Sequence, residues 1–153
     1  MNNVTQHPAC RPVPAVDCTD AVQASVSDLR AAAGLLHTVA RHTRQPLDPE
    51  ALFFVARVAS AQADDLDYIG DLWRRLPADP LPPDHRAAIA GHVATLRQHA
   101  EHLGDCGSVA DTCPPSRTHV AVTCAALLAT ADALSTVNEA AWAACRTQPE
   151  PAA

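Results

Sequence analysis

The chain has 153 residues, enough for one domain with one adequate core, and its formal charge of −6 sets seventeen acids against eleven arginines and no lysine. That balance argues against non-specific binding to a phosphate backbone, which needs clustered cations. No run approaches the ~20 apolar residues of a bilayer span, and residues 1–14 lack the apolar core of a secretory signal, so a cytoplasmic protein with no membrane role is expected.

Hydrophobic residues make up 48% of the chain but aromatics only 3%, which predicts a slim, alanine-rich core. All thirteen prolines fall outside the stretches 15–45, 50–76, 84–113 and 116–148. Proline removes a backbone donor and clashes with the preceding turn, so helix interiors exclude it. The spacing therefore predicts an all-α fold. It is a single antiparallel up-down-up-down four-helix bundle over 17–148, behind a flexible proline-rich N-terminal arm at 1–16 and ahead of a short tail at 149–153.

The first helix is predicted over 17–44, capped by Asp17, with Val22, Val26, Leu29, Ala33, Leu36 and Ala40 as its buried seam. The second, over 49–76, has the clearest start: Asp48-Pro49-Glu50 supplies a cap, a proline at the first helical position and an acid beside the positive helix end. Its seam reads Leu52, Val55, Ala59, Gln62, Leu66, Ile69, Trp73 and Leu76, with Gln62 as a polar member that fixes register. Beside that seam stand Phe53 and Phe54, candidates for a dimer contact or partner site.

The third helix is predicted over 84–104 with Ile89, Val93, Leu96, Ala100 and Leu103 on its seam. The fourth, over 116–147, carries Val120, Cys124, Leu127, Ala131, Leu134, Asn138, Ala141 and Cys145 on one stripe. Short loops force antiparallel neighbours. One pole then gathers Cys10, Cys18, Trp73, Trp142 and Cys145; the other gathers Phe53, Phe54, Cys106 and Cys113.

His85, His92 and His99 recur every seven residues along the third helix. Seven residues are about 10.5 Å along the axis, so this line cannot chelate one ion unaided. His102, Cys106, Cys113 and His119 wrap the turn between the third and fourth helices, a donor set suited to zinc or, on softness, copper. A Cys106–Cys113 disulfide is the competing expectation, and Cys10 or Cys18 is placed to reach Cys145. Cys-x-x-Cys, a Gly-rich phosphate loop and the Glu-x-x-His pairs of di-iron bundles are all absent from the sequence.

An arginine followed by four to six residues and a histidine occurs at Arg30/His37, Arg86/His92 and Arg97/His102. About two such spacings are expected by chance from this composition. The Arg97-Gln98 to His102 segment resembles the motif of the HEPN nucleases, which are small helical bundles. That resemblance implies ribonuclease activity with Arg97 and His102 as catalytic residues. Composition and patterning favour a different reading: a non-catalytic interaction or binding module without a cofactor, taking a protein partner or a second copy of itself. The metal-binding bundle and the nuclease stand as the alternatives.

Overall fold

The computed structural model describes residues 15–76 and 83–147, with side chains from residue 17 onward. The described residues form four helices, α1 (Ala15–His42), α2 (Pro49–Arg74), α3 (Pro83–Val109) and α4 (Arg117–Thr147), and contain no strand. The fold is an all-α four-helix bundle. The predicted arm at 1–14, with Cys10, and the tail at 149–153 lie outside the described residues, as does the 77–82 connection. Residues 15 and 16, assigned above to the arm, belong to α1.

Cross-helix contacts give the packing. Arg30 meets Asp132 at 2.7 Å and His37 Nδ1 donates to the Ala121 carbonyl at 3.1 Å, so α1 and α4 run antiparallel. Gln62 Nε2 donates to Asp28 Oδ2 at 3.4 Å, while Leu35 and Phe54 share one groove, giving the same sense for α1 and α2. Phe53 lies against Gly107, and Arg97 donates to Asp64 and Asp67, which sets α2 against α3 likewise. The closest packing joins α1 to α4 and α2 to α3; the α1/α2 seam is looser and the α3/α4 seam the thinnest.

Each helix buries one narrow stripe. The first-helix seam is buried throughout, joined by Ala32, Thr19 and Ser25. In α2 the buried member after Ala59 is Ala63, whereas Gln62 is half-buried and spends its amide on Asp28. A straight helix drifts by ~20° per heptad from a strict 3.5-residue repeat, enough to rotate Gln62 off the seam. On α4 the stripe from Val120 to Ala141 is buried as expected, and Asn138 is held inside it with its Oδ1 unpartnered among the described residues.

The start of α2 follows its sequence signals. Asp48 adopts an extended conformation and its carboxylate accepts from the Glu50 amide at 3.0 Å, with Pro49 opening the helix. Helix α3 runs past the predicted stop at Gly104 to Val109. No glycine takes the left-handed conformation that would end a helix there, so Gly104 is an ordinary helical residue. Gly107, one turn on, packs closely under the Phe53 ring, which a Cβ there would meet at 3.1 Å. At the same pole Arg117 donates to the Gln45 carbonyl, tying the α1–α2 connection to the start of α4.

By length and composition α4 could also cross a membrane, its most apolar window having a mean hydropathy of 1.7. Uninterrupted apolar runs do not reveal this, because threonine, serine and Asp132 break the runs while the window as a whole stays apolar. Its stripe is packed inside the bundle, and core helices of soluble proteins pass the same test.

Trp73 is the largest fully buried side chain, at 1% exposure, and closes the end of the α2/α3 pair. Trp73→Ala is expected to destabilise the bundle by about 3–5 kcal/mol, the usual range for truncating a buried aromatic. Chemical denaturation at unchanged m-value would report it; a loss below about 1 kcal/mol would mean that this end is not close-packed.

Candidate functional site

The extension of α3 decides the fate of the cysteine–histidine constellation. Cys106 was expected in a loop, but it sits inside the last turns of α3, one turn after His102. Its Sγ therefore lies 3.8 Å from His102 Nε2. Across the thin α3/α4 seam, His102 Nε2 is in direct contact with His119 Nε2, the rings meeting edge to face with centroids 4.6 Å apart. The pair lines a cleft of about 480 Å³ together with His99, Glu101 and Asp105.

Cys113 does not join them. It is exposed beyond the end of α3, its amide bonded to the Val109 carbonyl at 2.7 Å. Among the described residues no three His, Cys, Asp or Glu side chains converge on one point as they stand. The four-ligand zinc arrangement expected from the sequence is therefore replaced by a two-histidine contact with one thiol beside it.

Both disulfide expectations within the described residues are likewise corrected. Cys18, Cys106, Cys113, Cys124 and Cys145 all carry free thiols. Cys106 faces the histidine pair and Cys113 solvent, so the helix geometry separates their roles. Cys18 is buried close enough to Cys145 for the two to interact; burial, then Asp17, then Cys145 push the Cys18 thiol up. Burial also raises Cys145 and, with a smaller contribution from Asp105, Cys106. Cys124, fully enclosed on the α4 stripe, is pushed up to about 11 by burial alone. Reactive cysteines need the opposite shift.

Arg97 and His102 do not form one site. Arg97 points across to α2, where Asp64 and Asp67 accept from its guanidinium at 3.0 and 3.1 Å, whereas His102 faces α4. Five residues along a helix turn the side chain through about 140°, which sends the two into different clefts. The histidine line keeps to a half-buried flank of α3, where burial lowers His92, and burial with a smaller contribution from His102 lowers His99.

Phe53 and Phe54 part company as well. Phe53 covers Gly107 on the α2/α3 side. Phe54 stands 48% exposed on the α1/α2 side, close to Leu35, which is 64% exposed. They border an open groove of about 650 Å³ whose other walls include Ala31, Ala32, Val58 and Ala61, with Asp28 and Arg57 at its edge. Leu35 was missed in the sequence; it directly precedes the seam residue Leu36, and only the exposed position of its neighbour Phe54 marks it. Gly70 opens a smaller pocket of about 250 Å³ between α2 and α3, with nothing near the place of its absent Cβ.

No protein-family model matches the chain, and neither the curated proteins nor the solved structures contain a match.

Thiol labelling checks the cysteine assignments. Of the five described cysteines, Cys113 should be alkylated first in the native protein, while Cys18 and Cys124 should react only after denaturant is added. Peptide mapping that finds Cys106 and Cys113 linked and unlabelled would restore the disulfide.

Proposed function

We propose that this protein is a non-catalytic interaction module that pairs with a second copy of itself through the α1/α2 groove. The observation that carries the reading is the clustering of Leu35 and Phe54, both exposed, over a floor of alanines. Large apolar side chains exposed side by side, rimmed by polar residues, mark a candidate contact surface. The groove is also self-complementary. It presents two large projections beside small-residue hollows, so a two-fold arrangement seats Phe54 of each copy over the other's alanines. Asp28 of α1 and Arg57 of α2 line the same groove and would pair crosswise in that arrangement.

Magnitudes set the strength. Covering the exposed parts of Leu35 (64%) and Phe54 (48%) on both copies is worth about 3–7 kcal/mol, scaled from 1.5–3 kcal/mol for full burial of a large apolar side chain. Association costs about 4–15 kcal/mol in lost freedom. The balance favours a concentration-dependent dimer over a permanent one. The acidic net charge speaks against a nucleic-acid partner.

Sedimentation equilibrium should give a mass rising from the chain value of 16.1 kDa toward twice that value with concentration. Phe54→Ser or Leu35→Ser should weaken the dimer by more than about a hundredfold, since each change acts twice in a two-fold interface. Helical circular dichroism should stay unchanged. A wild-type protein monomeric at every concentration, or variants that dimerise normally, would contradict the proposal.

A further inference from the structure

We propose that the α3/α4 cleft is a zinc(II) site in which His102 and His119 supply the first two ligands through Nε2, Cys106 the third through its thiolate, and water the fourth. The Nε2 atoms of His102 and His119 face one another across the seam, which places both nitrogens to ligate one ion. Zinc binds imidazole nitrogen at about 2.0–2.1 Å and thiolate sulfur at about 2.3 Å, which puts tetrahedral N and S ligands about 3.6 Å apart. His102 Nε2 and Cys106 Sγ are separated by 3.8 Å, so they already stand near ligand spacing.

Binding must part the two imidazoles and turn the thiol toward the same point. The fold leaves room for both movements. His119 is exposed, His102 and Cys106 are half-buried, and the cleft that the two histidines line is open. The α3/α4 seam is the least packed in the bundle, so a small separation there disturbs little buried surface. On binding, the Cys106 S–H bond breaks, its proton passes to solvent, and the sulfur lone pair forms the bond to zinc; nothing is oxidised or reduced. The site lies on the opposite side of the bundle from the α1/α2 groove and does not depend on it.

Cobalt(II) is the probe, because it occupies zinc sites and its spectrum reports thiolate and geometry. Untagged, metal-free protein should bind one cobalt per chain with a thiolate charge-transfer band and the intense visible bands of a tetrahedral ion. Zinc should displace it stoichiometrically. His119→Ala and His102→Ala should each weaken binding by about a hundredfold or more, with the helical signal retained. Cys106→Ser should remove the charge-transfer band, whereas Cys113→Ser should leave both spectrum and affinity unchanged. Absence of binding, a spectrum without the thiolate band, unchanged affinity in His119→Ala, or loss of the band in Cys113→Ser instead of Cys106→Ser would overturn the assignment.

Discussion

Everything in this bundle follows from burying a narrow stripe along each of four long helices, with alanine making up ten of the thirty buried apolar residues among those described. The seams alternate leucine or valine with Ala33, Ala40, Ala59, Ala63, Ala100, Ala131 and Ala141, all buried. Small side chains fill little volume, so the core closes only where helices come close together. Two pairs achieve this, α1 with α4 and α2 with α3. The pairs then meet across two looser seams, and the larger side chains that do not fit the stripe are left along those seams. Phe54 and Leu35 border the α1/α2 seam, and the His102–His119 contact spans α3/α4.

Much of this was readable in the chain, because proline is a backbone constraint that tertiary packing cannot overrule. The prolines bracketed all four helices, and the Asp48-Pro49-Glu50 start of α2 needed only local hydrogen bonding to be recognised. What was misread depended on angle. Gln62 and Ala63 are adjacent in sequence, and a rotation of a few tens of degrees over two turns decides which faces the core. The same uncertainty hid the different directions of Phe53 and Phe54. Gly104 suggested a helix end, yet glycine ends a helix only when its backbone turns left-handed, which sequence does not reveal.

That last misreading reshaped the chemistry. Once α3 continues through Cys106, the thiol is locked in phase with His102 and out of phase with Cys113. Sequence spacing had gathered four donors; the structure leaves a His102–His119 contact with Cys106 beside His102. Helical phase also sends Arg97 to the α2 aspartates and away from His102, so the motif similar to a nuclease is dispersed over two clefts. Residues near one another in a chain become one site only when they share a helix face. With the helices ordered α1, α2, α3, α4 around the core, the apolar groove and the histidine cleft occupy opposite sides. Self-pairing and metal capture are therefore compatible on one bundle.

The central claim is that the α1/α2 groove is the working face, and it is tested most directly by isotope-filtered nuclear Overhauser spectroscopy on a mixture of labelled and unlabelled chains. Intermolecular cross-peaks are expected between the Phe54 ring protons and alanine methyls of the other copy, together with contacts from Leu35. A concentrated sample with no intermolecular cross-peaks, or with cross-peaks confined to the α3/α4 side, would contradict it.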